Sequence, residues 1–439
     1  MGEHALITGP SLWALLPLLV YTVLVFRGAK TITATLAGVV VGFLLTGQTP
    51  ASFSGMMRES LGSFLALIGL IIMLGGGLGA VLSETRVSHT IVHWIVEKVG
   101  VDNEKKGILA LMFSSTIICA LLGTLAGGNA MLAPIIIPIV ASVGITPSTV
   151  GAVFQSSGET GLIWGPFTPP VIALMGVTGL TYWEMMKWAA LPFGIIWLVV
   201  IYFVALKIQK DTKSWDKYED VEPMKVQKPS AQEKRTTVVF VITFIALIAY
   251  GMITKQRTNY VPFVMITLAL VTGIAGKIKF EKTLSTLTFG MGSMVSMFLL
   301  FIMFDLFIDM ITLGDGFGAL SEILLGLIEN TGRIGLMLVG SFVGAFGVEG
   351  AAVAQINITH EMFAPAIKVM KLPMIMWAIA LIAASRITSS VYPTANMVGQ
   401  MGLARSKNLK AMLFAGWSVS AAALIYIVFW SFLGEKLFF

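Results

Sequence analysis

Gln155-Ser156-Ser157-Gly158-Glu159-Thr160-Gly161-Leu162-Ile163-Trp164-Gly165-Pro166-Phe167-Thr168-Pro169-Pro170 decides the architecture. The stretch sits inside an apolar run over about 149–178. Such a run is long enough to cross a bilayer, which takes about 20 residues. Yet it carries a carboxylate and is then cut by Gly165-Pro166. A proline removes a backbone donor and clashes with the preceding turn. Lipid offers no replacement partner, so the unpaired peptide groups of such a gap are expected to line a cavity or bind a solute. The pattern recurs about 226 residues later. Ile145-Thr146-Pro147 opens the first run, and Lys371-Leu372-Pro373 opens another over 373–400. There Ser385-Arg386-Ile387-Thr388-Ser389-Ser390 precedes a break at Val391-Tyr392-Pro393-Thr394.

Composition says what surrounds these runs. Of 439 residues, 56% are hydrophobic and 12% are charged. A soluble domain carries about 25% charged residues. Lipid is therefore the solvent for most of the chain, and the fold class is an all-α membrane protein. The net charge of +6 does not point to nucleic acid, because the basic residues sit in short loops between apolar runs. Full spans are predicted at about 12–26, 31–47, 61–82, 149–178, 188–207, 237–254, 259–276, 287–311, 373–400 and 410–432. The first of these lacks a basic n-region and reads as a retained helix. Two longer stretches, 107–143 and 333–367, are interrupted at Gly123–Asn129 and Gly344–Gly350. Each reads as a re-entrant hairpin, or alternatively as two spans.

Loop charge favours the hairpins. Ten full spans with the N-terminus outside place 20 Lys and Arg inside and eight outside, the sense that cytoplasmic loops follow. This predicts a multi-pass inner-membrane protein with both termini outside. The polar linker 207–236 is then cytoplasmic and separates an N-terminal repeat, 1–206, from a C-terminal repeat, 237–439. Segment 87–98 reads as an amphipathic helix at the cytoplasmic surface, and 317–329 as its external counterpart. His89 and His93 have metal-ligand spacing but no third ligand near them, and Cys119 reads as a buried apolar residue.

Each half therefore holds three spans, a hairpin, a broken span and a last span. Five crossings per half is odd, so the second half enters from the opposite side, as in the inverted-topology repeats of secondary transporters. Ionisable groups in spans are costly, by about 2.5–3.5 kcal/mol on insertion scales, and they mark function. Glu159 and Arg386 precede the two breaks at near-equivalent positions. Arg386 suits a carboxylate gripped by two parallel hydrogen bonds. Thr388, Ser389, Ser390, Thr394 and Asn396 surround it in sequence, and Ser156, Ser157 and Thr160 flank Glu159. Gly127, Gly128 and Asn129 form the expected tip of the first hairpin, and Glu349 the tip of the second. Glu159 and Glu349 are candidates for proton or cation coupling. The alternative is that Arg386 pairs with Glu159 or Glu349 and only holds helices together. His360, Glu361, Asp305 and Asp309 are weaker candidates, the last two sharing a helix face toward the outer end of a span.

Gly123-Thr124, Pro138, Gly144-Ile145, Gly151-Ala152, Ser157-Gly158, Pro166 and Gly179 resemble the core of NhaC-type sodium/proton antiporters. Ser385–Trp417 resembles the ends of gluconate and lactate permeases, which belong to the same ion transporter superfamily. The resemblance implies secondary transport, with H⁺ or Na⁺ as coupling ion, and architecture of this kind is often dimeric. The antiporters carry acids around the first broken span. Here Gly161–Pro169 carries none, which favours the permease branch and an organic carboxylate as cargo. The expectation is a carboxylate transporter coupled to H⁺ or Na⁺, with a cation/proton antiporter as alternative and a non-transporting membrane subunit as a third reading. No enzyme activity, resident cofactor or metal, or nucleic-acid partner is expected. The partners are a small anion or cation and membrane lipids.

Overall fold

A computed structural model describes residues 2–7, 9–219, 228–328, 331–346 and 352–438. Every element among them is helical. The first half runs α1 (Leu16–Phe26), α2 (Thr31–Leu45), α3 (Pro50–Ser60), α4 (Phe64–Glu84), α5 (Val87–Val99), α6 (Glu104–Leu122), α7 (Leu125–Ser142), α8 (Pro147–Trp164), α9 (Pro169–Thr178) and α10 (Tyr182–Thr212). The second repeats that order. It runs α11 (Ala231–Ile253), α12 (Val261–Ala275), α13 (Phe280–Gly292), α14 (Val295–Leu313), α15 (Gly316–Ile328), α16 (Gly332–Phe346), α17 (Ala352–Met370), α18 (Met374–Val391), α19 (Ala395–Leu403) and α20 (Leu409–Phe438). Among the described residues nine helices are long and apolar enough to cross a membrane, or ten when α8 and α9 count as one bent span.

Packing follows the same exchange of halves. α4 packs on α12 and α13, and α14 packs on α2 and α3. α8 packs on α19, and α18 on α9. The second arm of each hairpin, α7 or α17, receives the short helix that follows the other half's break, α19 or α9. α4 meets α14 and α10 meets α20 across the centre. Small residues make the closest approaches possible. A Cβ on Gly290 of α13 would lie 2.4 Å from the Gly76 carbonyl oxygen of α4, so only glycine lets these two backbones touch. On the outside, α11 turns Val238, Ile242 and Ile245 outward, apolar faces suited to lipid.

Several boundaries depart from expectation. The predicted span 287–311 straddles two helices, because the chain breaks between Gly292 and Val295. Gly290, Gly292 and Ser293 weaken the helix there, and α13 is amphipathic, not spanning. The amphipathic α3 was not predicted; Thr49 and Ser52 form a capping box at its start, with Pro50 in its first turn. The 188–207 span is longer, Tyr182–Thr212, and takes in a π-helical stretch at Met186–Ala190. The Tyr426 hydroxyl reaches the Ala189 carbonyl there at 3.3 Å. The expected surface segments 87–98 and 317–329 are the helices α5 and α15.

Candidate functional site

The first break starts from a well-founded helix. Thr146 caps α8 by accepting the Thr149 N–H, and Pro147 occupies the first turn. α8 is buried along nearly its whole length, which its many small residues permit. A Cβ on Gly161 would lie 2.3 Å from the Thr116 carbonyl oxygen of α6. Beyond Trp164 the axis turns by 41° into α9. The chain supplies partners for much of the opened backbone. Thr168 Oγ1 donates to the Leu162 and Gly165 carbonyls, and the Tyr182 hydroxyl donates to that of Trp164 at 2.6 Å. At the second break Trp417 Nε1 donates to the Val391 carbonyl at 2.7 Å. Thr394 caps α19 through the Met397 N–H. The expectation that both gaps hold bare peptide groups for a solute is thus corrected: side chains occupy many of them.

What the breaks do bring together is charge. Arg386 of α18 and Glu159 of α8 lie 3.4 Å apart (Nη1 to Oε2), 3% and 1% exposed. Ser389 Oγ donates to the same carboxylate oxygen at 2.7 Å, and Gln155 Nε2 donates to the other at 2.6 Å. Gln155 Nε2 also reaches the Ser389 carbonyl at 3.4 Å, so α8 and α18 are laced together at this level. Arg386 Nε is 3.3 Å from Ser385 Oγ, and its Nη2 makes no hydrogen bond among the described residues. Gln155 Oε1, Ser157 Oγ and Ser390 Oγ are buried without partners among them. Burying polar groups costs free energy unless each is paired, so Gln155, which already touches the pair, has unused hydrogen-bonding capacity at Oε1.

A second junction joins the first hairpin to the other half. The chain turns at Gly123, in left-handed backbone with φ 67°, and Thr124 caps α7 through the Gly127 N–H. The tip is therefore Gly123-Thr124, and Gly127, Gly128 and Asn129 lie within the first turns of α7. Gly128 packs on Cys119. Asn129 is fully buried. Its Nδ2 donates to Gln400 Oε1 of α19 at 2.7 Å and to the Phe154 carbonyl at 2.9 Å, and its Oδ1 accepts from Ser115 at 2.7 Å.

The other candidates divide. Ser389 joins the pair directly. Thr388 instead donates to the Ala345 carbonyl of α16 at 2.8 Å and accepts from Gln355 at 2.5 Å, so it fastens α18 to the second hairpin. Thr160 bonds back to the Ser156 carbonyl, which also accepts from Trp197 at 3.1 Å. Asn396 is exposed and makes no hydrogen bond to the cluster among the described residues. Glu349 lies outside the described residues. His360 accepts from Trp377 at 3.1 Å, a packing contact. Asp309 lines a separate cavity of about 650 Å³ with Glu3, Thr49 and Glu59. No group of three metal-ligating side chains occurs among the described residues. Sequence reasoning missed Gln155, Ser385, Ser115 and Gln400. Gln155 had one signal: it stands four residues before Glu159, hence on the same helical face.

The fold is similar to that in the crystal structure of the Alcanivorax borkumensis YdaH transporter, whose topology is described as unusual. The TM-score is 0.63 at 13% identity, covering 88% of this chain and 89% of that one. No curated protein matches by sequence. A family model described as "Tripartite ATP-independent periplasmic transporter, DctM component" matches residues 15–427. The match falls there, and not on the sodium/proton antiporters or gluconate and lactate permeases that the sequence resembles. The chain belongs to the DctM component family of tripartite ATP-independent periplasmic transporters.

Proposed function

We propose that this chain, a multi-pass transporter component and not an enzyme, is the permease through which a small organic carboxylate crosses the inner membrane, driven by an H⁺ or Na⁺ gradient. One observation carries the reading: a buried guanidinium at the junction of two broken spans, with Nη2 unbonded among the described residues. A carboxylate matches that fork in shape and charge. Arg386, Ser389 and Ser390 of α18 and Ser157 of α8 are its proposed contacts. The same arrangement speaks against a bare-cation antiporter, since Glu159 is already held by Arg386, Ser389 and Gln155.

Matched element order and exchanged packing support an inverted-topology repeat; the excess of Lys and Arg in one set of loops supports a cytoplasmic 207–236 linker and both termini outside. α6–α7 and α16–α17 are proposed as re-entrant hairpins, although α6 and α7 are each long enough to cross. The family is that of a tripartite transporter, so we propose that this chain works with two other components, in place of the homodimer considered from sequence.

The test is a thermal-shift screen of the purified protein against mono- and dicarboxylates, with and without Na⁺, followed by uptake in vesicles bearing all three components. A bound ligand raises apparent stability by mass action. The hit is expected to vanish in Arg386→Ala, and uptake with it, while the protein remains in the membrane. Undiminished carboxylate uptake by that variant would sink the reading.

A further inference from the structure

We propose that Glu159 is a built-in stand-in for the substrate carboxylate, displaced at Arg386 by the incoming anion, and that each displacement loads one proton onto Glu159 from the water that admits the solute. This deepens the reading of Arg386 as anchor and rests on it. The argument begins with an imperfect fit. Charge-assisted bonds to a carboxylate normally span about 2.7–2.9 Å, and arginine favours two in parallel. Here the guanidinium meets one carboxylate oxygen, through one nitrogen, at 3.4 Å, and Nη2 remains unbonded among the described residues. The arginine is compensated but its fork is not filled. A free carboxylate able to present both oxygens is the better partner.

Displacement sets the proton requirement. With Arg386 turned to the solute, an ionised Glu159 is a buried charge without a counter-ion, which is far costlier than a protonated acid. One proton added to a Glu159 oxygen as one monoanionic carboxylate arrives leaves the site neutral before and after. The neutral acid also has a waiting acceptor. Gln155 Nε2 donates to Glu159 Oε1 at 2.6 Å, while Gln155 Oε1 is buried and unpartnered. Half a turn of that amide presents Oε1 to the acid's O–H. Gln155 thus fits both protonation states of its neighbour, which a fixed donor does not.

Among the described residues, the helices packed on α8 offer no rival counter-charge at this level. Of the helices packed on α8, α7, α9 and α19 carry no titratable side chain. α6 offers Cys119, which turns its thiol to Asn129 and the Leu125 carbonyl, and has Glu104, Lys105 and Lys106 at its start. α10 meets α8 at Ser156 through Trp197. Its titratable groups are Tyr182, Glu184 and Lys187 in its first turns, then Tyr202, Lys207, Lys210 and Asp211 beyond Trp197. α20 carries Lys410 in its first turn, then Tyr426, whose hydroxyl bonds to the Ala189 carbonyl, and Glu435 and Lys436 near its end. α18 contributes Arg386.

The test needs no substrate. Infrared difference spectroscopy of the purified protein in lipid vesicles reads the C=O stretch of protonated carboxyl groups. Arg386→Gln withdraws the guanidinium as the solute is proposed to do. At neutral pH this variant is expected to gain a protonated-carboxyl band that the wild type lacks and that disappears in Arg386→Gln/Glu159→Gln. Adding Gln155→Leu is expected to shift the band to higher frequency, as an acid loses its acceptor. Arg386→Met serves the same purpose if the Gln variant does not give monodisperse protein. A folded Arg386 variant without the band keeps Glu159 ionised and overturns the proposal. A band unmoved by Gln155→Leu removes the amide from it. Loss of carboxylate binding is read by thermal shift and not by this band, so anchor and proton exchange fail separately.

Discussion

Arg386 and Glu159 lie side by side in a place where neither charge is tolerable alone. Removing one partner of such a pair costs about 3–5 kcal/mol, whereas replacing both by apolar groups of similar size is often neutral. Glu159→Gln is therefore expected to lower the melting temperature markedly in detergent, and Glu159→Gln/Arg386→Met to recover most of the loss. Equal melting of the two variants would show that the pair is not coupled in stability. Asn129→Ala strands Gln400 Oε1 and the Ser115 hydroxyl, at about 1–3 kcal/mol for each group left unpaired. Its melting temperature is expected to fall while Asn396→Ala, on an exposed side chain, leaves it unchanged. Glu159 and Arg386 were legible in the sequence because ionisable groups inside apolar runs are rare. Gln155 and Gln400 were not, since uncharged amides are common and their bonds depend on which helices meet. That Asn396 stands apart from the cluster was not legible, because nearness to a break in sequence says nothing of facing, and successive helical residues point about 100° apart.

Backbone contact sets the tolerance of whole helices. Gly161→Ala places a methyl group within 2.3 Å of the Thr116 carbonyl and must push α8 off α6. A sharp loss of monodisperse protein on size exclusion is expected. Gly402→Ala, with nothing within 4 Å, is expected to behave as wild type. Helices with long apolar runs were read correctly from composition, as α4, α8 and α11 illustrate. α3 and the split between α13 and α14 were not. α13 and the spanning helix after it make one continuous apolar signal, and the two residues between them are too few to interrupt it, whereas α3 is too polar to give an apolar signal at all.

The halves of the molecule interlock, since α4 needs α12 and α13 while α14 needs α2 and α3. Cutting the gene within codons 220–227 is expected to give fragments that fail to accumulate singly and assemble when co-expressed, as membrane-fraction immunoblots can measure. Independent accumulation of either fragment would contradict the interlocking. Repetition of element order was visible in sequence, because prolines and glycines recur at a fixed offset. Partnership across the halves was not, because hydrophobic patterning marks a buried face without naming its neighbour. The consequence reaches into biosynthesis. A ribosome adding about 5–20 residues per second needs roughly 10–40 s to make the roughly 200 residues that separate α4 from Gly290. For that interval the newborn α4 has no Gly290 to close upon. Its glycine seam must wait in lipid or against the insertion machinery until the partner strip arrives.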